Sequence, residues 1–192
     1  MAAAILHFGM TDTLIEARGL TKRFGTLVAV DGIDFEVRRG ECLGFLGPNG
    51  AGKTSTIRML CCVSPVSGGE LRIFGLDPAR HLREIKSRLG VVPQEDNLDT
   101  DLTVIENLLA YARYFDVPPA EAKERAWDVL RSMALEEKAT ETIQNLSGGM
   151  KRRLTVARAL ISRPELLVLD DSNPEMGGDV LTSKSTAYTL AA

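Results

Sequence analysis

The octapeptide Gly47-Pro48-Asn49-Gly50-Ala51-Gly52-Lys53-Thr54 limits what this chain can fold into more than any other stretch. Its spacing is that of the phosphate-cradling loop G-x-x-x-x-G-K-[ST]. Glycines let the backbone curl through conformations a side chain forbids, so successive N–H groups turn inward as a nest for an anion. Lys53 brings a mobile ammonium to the outer phosphates, and the Thr54 hydroxyl is a hard oxygen donor for a magnesium ion bridging them. Before the loop, the apolar run Cys42 to Leu46 is predicted as a buried strand. After it, Ser55 to Cys62 lacks Gly and Pro and is predicted as a helix. The helix dipole and its free N-terminal amides add to the attraction for phosphate. The competing reading is a Gly-rich turn in an ordinary α/β protein.

A chain of 192 residues has the size of one domain. Its 23 Lys and Arg against 26 Asp and Glu leave a formal charge of −3, so no basic field points to nucleic acid. The one basic cluster, Lys151-Arg152-Arg153, opens a helical pattern and is expected to be a solvated helix face. No apolar stretch approaches the roughly 20 residues that span a bilayer, so work at a membrane would need spans borrowed from a partner. Met1 to Met10 is apolar but lacks the basic start and cleavage site of a secretory signal, and is expected to be an extension. The three cysteines, Cys42, Cys61 and Cys62, lack metal-ligand spacing and are expected to be reduced core thiols.

Leu14 to Gly19 and Leu27 to Arg39 alternate apolar and polar residues between glycines, which predicts antiparallel strands. Phe24 lies just before the turn at Gly25; it either packs in the core or stands exposed and stacks on a base. Ser67 to Glu70 is predicted as a turn, Leu71 to Phe74 as a short strand, and Leu89 to Val92 as a strand stopped by Pro93. Gln94 therefore falls at a strand end, where its amide either orients a water, completes a magnesium shell, or is plain polar loop.

From Thr103 the pattern turns helical. Thr103 and Glu106 have capping-box spacing, with Val104, Leu108, Tyr111 and Phe115 on one face, and a second helix starts at Pro119 and passes Trp127 and Leu130. Next, Ser147-Gly148-Gly149 precedes the apolar face Met150, Leu154, Ala157 and Ile161, ending before Pro164. That tip is either a second anion site or a simple Ser cap with glycines for clearance. Leu166 to Leu169 is a buried-strand run ending in Asp170-Asp171, and a carboxylate at that edge can hold the magnesium that Thr54 touches.

Taken together and in order, these residues resemble the ATP-binding cassette (ABC) family of transport ATPases over roughly Leu14 to Asp171. The resemblance implies an α/β fold: a P-loop NTPase nucleotide-binding domain with an antiparallel β subdomain and a helical subdomain at about 96–147, incomplete at its C-terminus. Residues 1–13 would be an N-terminal extension, 14–171 the ATP-binding domain and 172–192 an atypical tail. It implies ATP and Mg²⁺ as ligands. Phe24 would stack on adenine, while Gly47, Pro48, Asn49, Gly50, Ala51, Gly52, Lys53, Thr54 and Ser55 hold the triphosphate. Thr54, Gln94 and Asp170 would serve the metal, with Gln94 and Asp171 catalytic. Ser147, Gly148 and Gly149 would cap the γ-phosphate held by Lys53 of a second subunit.

Leu146-Ser147-Gly148-Gly149-Met150 resembles the family's signature motif, and the wording around Gln94, Val91 to Leu98, together with the run Met150 to Arg153, resembles exporter-type cassettes for drugs and nodulation lipo-oligosaccharides. Partners implied are a second ATP-binding subunit, as a homodimer, and an integral membrane permease, at the cytoplasmic face of the membrane, with no nucleic acid. A soluble ABC-type ATPase outside transport, acting on DNA or ribosomes, would call for tandem cassettes or basic patches. A non-functional cassette fragment is the other alternative.

The sequence also departs from the family. Asp171 stands where the family has Glu, and its shorter side chain falls about 1.5 Å short of the attacking water, enough to cost roughly a hundredfold in an aligned site. Ser172 to Gly178 does not align with the family's next segment, and the last histidine is His81, upstream of Gln94, so no switch histidine follows. Weak or absent ATP turnover is expected. A truncated or shifted reading frame after Asp171 is the expected origin of the tail, with Val180 to Leu190 a candidate substitute strand.

Overall fold

The computed structural model describes residues 13–95 and 97–170. The described residues open with a long hairpin, β1 (Thr13–Phe24) and β2 (Leu27–Arg38), whose strands pair antiparallel with Glu16 opposite Glu36 and Ala17 opposite Phe35. β3 (Gly68–Ile73) adds to the far side of β1, giving the sheet order β2-β1-β3. The hairpin follows its alternating sequence: Ile15, Ala17 and Leu20 of β1, Val30 and Val37 of β2, and Leu71 and Ile73 of β3 all turn to one core. Each fully buried Leu or Ile there contributes about 1.5–3 kcal/mol relative to exposure. β3 begins earlier than predicted, because Gly68 pairs with Thr21 and absorbs the expected turn into the ladder.

A second layer is parallel. β4 (Leu89–Val92) and β5 (Leu166–Leu169) pair in register from Leu89 with Leu166 to Val92 with Leu169. Helix α1 (Lys53–Leu60) packs its buried face, Ile57, Met59 and Leu60, into the core that also holds Leu89, Leu166 and Val168. The short α2 (Leu82–Ser87) contributes Ile85 to the same core.

Residues 93–165 carry their own apolar cluster. α3 (Val104–Arg113) starts at the predicted capping box, with the Thr103 hydroxyl accepting from the Glu106 N–H and the Glu106 carboxylate accepting from the Thr103 N–H. α4 (Pro119–Ser132) follows, and α5 (Gly148–Leu160) is capped by Ser147. Val104, Leu108, Ala126, Leu130 and Leu154 meet between these three helices. Sequence periodicity overlooked Asn107, which is buried on the apolar face of α3. Its amide exchanges hydrogen bonds with the Asp99 backbone at 2.9 Å each way, tying the preceding loop to the helix. A smaller cluster of Val92, Ala159 and Leu167 joins α5 to the parallel strands.

Three expectations are corrected. Cys42 to Leu46 is not a buried strand: no strand is assigned there, and neither described sheet includes it. The segment is extended, with Leu43 and Phe45 packed on the core, the Phe45 ring edge-on to Phe35 at 5.2 Å, and Cys42 and Leu46 exposed on the other face. The apolar run supplies one packed face, but a strand needs a hydrogen-bonded neighbour, and no described strand pairs with it. For the same reason Cys42 is exposed rather than a core thiol, whereas Cys61 is buried and Cys62 half-buried. Finally, Lys151 to Arg153 is not simply a solvated face. Arg152 donates to the Pro93 carbonyl at 2.7 Å and Arg153 to the Met133 carbonyl at 2.8 Å, since the long side chains reach backbone carbonyls across the helix packing.

Candidate functional site

The loop from Gly47 to Gly52 links the extended segment to α1, and its shape depends on two left-handed residues, Gly50 at φ 83° and Gly52 at φ 84°. Gly52 also lies so close to β2 that a Cβ would fall on the Ala29 carbonyl oxygen and 3.1 Å from Val30 Cγ2. The glycine therefore permits both the turn and the seating of the loop on the hairpin. Lys53 begins α1 and is 9% exposed; its ammonium donates to the Gly47 carbonyl at 2.6 Å and the Pro48 carbonyl at 2.8 Å. That holds a positive charge across the mouth of the loop, beside the N-terminal amides of a helix with no acidic residue in its first turn. Charge, dipole and helix-start amides all favour an anion.

The loop shares a hollow of about 440 Å³ with the hairpin: Asn49 to Ser55 on one side, Phe24, Leu27 and Ala29 on the other. Phe24 is 51% exposed, with the Lys22 ammonium 4.9 Å from its ring centre, so core packing does not describe it. The structure thus brings an open aromatic face and the phosphate loop to one cavity. Gly47 and Pro48 stand behind it as acceptors for Lys53.

Gln94 and Asp170 reach the same edge of the parallel pair. Val92 is opposite Leu169, and the Asp170 N–H donates to the Val92 carbonyl at 2.9 Å. Gln94 is exposed two residues beyond β4. Asp170 also acts on the α1 side, since the Cys61 thiol is pushed up to about 12 chiefly by burial and then by the Asp170 charge.

Among the described residues no group of three or more His, Cys, Asp or Glu could hold a metal ion. Thr54, Gln94 and Asp170 offer instead a hydroxyl, an amide and one carboxylate, a hard-oxygen set that fits magnesium when phosphate oxygens complete its shell.

Ser147, Gly148 and Gly149 form an exposed tip outside the hollow. The Ser147 hydroxyl accepts from the Met150 N–H at 3.3 Å, and positions where Cβ atoms would stand on Gly148 and Gly149 meet nothing within 4 Å. The tip is therefore both a helix cap and an open surface of amides. Asp171, together with the tail 172–192 and residues 1–12 of the 1–13 extension, lies outside the described residues.

Sequence reasoning missed two sets of side chains around the site. Arg152 and Arg158 of α5 donate to the carbonyls of Pro93 and Asn97, on either side of the Gln94 turn. Glu165 binds both Arg88 and Arg39 at the opposite end of the parallel strands. Apart from the basic run that includes Arg152, neither set carries a local sequence signal.

A phosphate loop seated on an antiparallel hairpin, with a helical unit between β4 and β5, defines a P-loop nucleotide-binding protein of the cassette type. The profile of the ABC transporter family matches residues 30–173, and the chain belongs to that family, whose members bind ATP. It is 49% identical over 158 residues to the Nod factor export ATP-binding protein I of Ralstonia nicotianae, covering 82% of this chain and 49% of that protein. The protein of the same name from Paraburkholderia xenovorans is 46% identical over 162 residues, covering 84% and 53%. The chain thus spans about half the length of these curated relatives.

Two solved structures share the fold. The first is cbiO1 of Clostridium perfringens, part of the ABC transporter complex cbiONQ, with TM-score 0.77 and 24% identity over 88% of this chain and 68% of that one. The second is an ATP-binding subunit of an ABC transporter, with TM-score 0.74 and 28% identity over 87% and 69%. Among the described residues, no helix is long and apolar enough to cross a membrane.

Proposed function

We propose that this chain is the ATP-binding subunit of an ABC-type exporter, binding ATP with Mg²⁺ through residues 14–171 and using a helical subdomain at about 96–147. The observation that carries the reading is the single hollow joining the exposed Phe24 ring to Asn49 through Ser55. Phe24 stacks on the adenine. The amides of Gly50 to Ser55 and the Lys53 ammonium take the phosphates, with Lys53 exchanging its loop carbonyls for phosphate oxygens. Thr54, Gln94 and Asp170 hold the magnesium, which neutralises phosphate charge when bound. Ser147, Gly148 and Gly149 face the γ-phosphate of a second copy, a role favoured by their exposure away from the chain's own hollow. ATP would then close a homodimer docked on a membrane permease at the cytoplasmic face. The names of the Nod factor export relatives support the export direction. Asp171 in the place of a glutamate points to slow hydrolysis.

The test is thermal unfolding with and without ATP-Mg²⁺, each variant compared with its own ligand-free transition. A ligand at a hundred times its Kd stabilises the folded chain by about 2.7 kcal/mol. The wild-type chain is expected to show a clear upward shift, Lys53→Ala none. Phe24→Ala is expected to lose about tenfold in ATP affinity, since stacking a base on an aromatic is worth about 1–3 kcal/mol, yet to bind inorganic triphosphate as the wild type does. A folded wild-type chain unmoved by millimolar ATP-Mg²⁺, or Lys53→Ala stabilised like the wild type, overturns the reading.

A further inference from the structure

Outside the hollow, Glu165 sits between two arginines. Arg88 grips it with both arms of the guanidinium, Nε to Oε1 at 2.6 Å and Nη2 to Oε2 at 3.1 Å, and Arg39 adds Nη2 to Oε2 at 2.8 Å. The Arg88 guanidinium also lies 4.0 Å over the Phe74 ring, just after β3. Two-armed pairing within a network distinguishes this cluster from the isolated surface ion pair that contributes little.

What the three residues have in common is where their chains lead. From Arg39 the extended segment runs to Gly47 and the phosphate loop. From Arg88, β4 runs to Gln94. From Glu165, β5 runs to Asp170. At about 3.3 Å per residue, Asp170 stands about 16 Å from the cluster, so each of the three site elements is the far end of a strut rooted at one point.

Among the described residues, the struts are not equally supported. β4 and β5 are hydrogen-bonded to each other in register, and the Glu165 N–H donates to the Arg88 carbonyl at 2.9 Å. The 41–46 segment belongs to neither described sheet and meets the core through Leu43 and Phe45. Apolar packing is tolerant of sliding along the strand direction, whereas an ion pair fixes a point.

We propose that Glu165 is a positioning residue: by binding Arg39 and Arg88 together it sets the height of the phosphate loop relative to Asp170, and so the fit of a divalent cation shared between them. The inference rests on the function proposed above. It makes the magnesium-dependent part of ATP binding, rather than ATP binding as a whole, sensitive to a carboxylate that touches neither ligand.

The test uses the full 192-residue chain and measures ATP affinity by calorimetry in EDTA and in excess Mg²⁺, each variant held well below its own unfolding temperature. In the wild type Mg²⁺ tightens binding. In Glu165→Gln and in Arg39→Ala the ratio of the two affinities is expected to fall about fivefold or more, the lower range for coupling between separated sites, with Glu165→Asp recovering part of it. If Glu165→Gln fails to fold, Arg39→Ala, which leaves the Arg88 pair in place, decides the matter. A lowered unfolding temperature with an unchanged affinity ratio marks the cluster as a stabiliser and overturns the proposal, as does a wild-type affinity indifferent to Mg²⁺. ATP binding that survives Lys53→Ala would instead overturn the functional reading itself, so the two failures are told apart.

Discussion

Replacing Gly52 by alanine tests how closely the phosphate loop is seated on the hairpin, and the structure separates the expected cost into two parts. The backbone of Gly52 is left-handed at φ 84°, a conformation that costs a residue with a Cβ about 1 kcal/mol. In addition, the new methyl would fall on the Ala29 carbonyl oxygen, well inside the 3.0 Å that real Cβ atoms respect. Its obstacle is backbone within a paired strand, so relief requires the loop to lift or β2 to bend, an overpacking cost of about 1–3 kcal/mol. Gly50 supplies the control, with φ 83° but nothing within 4 Å of the Cβ position, so Gly50→Ala bears the conformational part alone. The total for Gly52→Ala is about 3 kcal/mol, which for a domain of this size lowers the unfolding temperature by roughly 6–12 °C, against about 3 °C for Gly50→Ala. Circular dichroism melts of the two variants and the wild type, at one heating rate and without nucleotide, read the difference directly. Equal transitions for the two variants would refute the close-approach argument, because only Gly52 meets the strand.

Two further outcomes are expected. The Glu165 carboxyl is held at about 2, below its ordinary 4.5, by Arg88 first and then Arg39; a carboxylate lowered in this way contributes stability that is complete above pH 4.5 and lost as pH falls towards 2. With 35% of the side chain exposed, solvent screening leaves a contribution of about 1 kcal/mol; the stability gap between wild type and Glu165→Gln should therefore be level from pH 5 to 7 and close below pH 4.5, and a gap constant down to pH 2 would contradict it. For the thiols, iodoacetamide at pH 8 should label exposed Cys42 first and spare Cys61 until the chain unfolds. A thiol pushed up to about 12 by burial and the Asp170 charge is ionised in about one molecule in ten thousand at that pH. Mass spectrometry of the timed reaction checks the order, and equal labelling of the two would count against it.

Which parts of the site were readable in advance depends on how far apart in the chain their causes lie. The phosphate loop, the Thr103 capping box and the Ser147 cap are each settled within a few residues, because glycine conformations and side-chain caps are local chemistry. The sequence also left Phe24 between core and surface, and the hairpin decided it: β1 ends just as it clears the core, leaving the ring open beside the loop. Asn107 was hidden by its own helical period, since its place on the apolar face makes sense only with the Asp99 backbone alongside.

From its sequence alone the chain could be assigned to a phosphate-loop α/β protein of the cassette type, because an ordered series of short motifs survives without knowledge of packing. Tertiary structure alone decided that the segment leading into the loop lies extended with one bare face rather than as a buried strand. It alone also joined Arg39 to Glu165 across 126 residues. Strand pairing and distant ion pairs require two parts of the chain to meet, and the residues that meet carry no mark of each other in their own neighbourhoods.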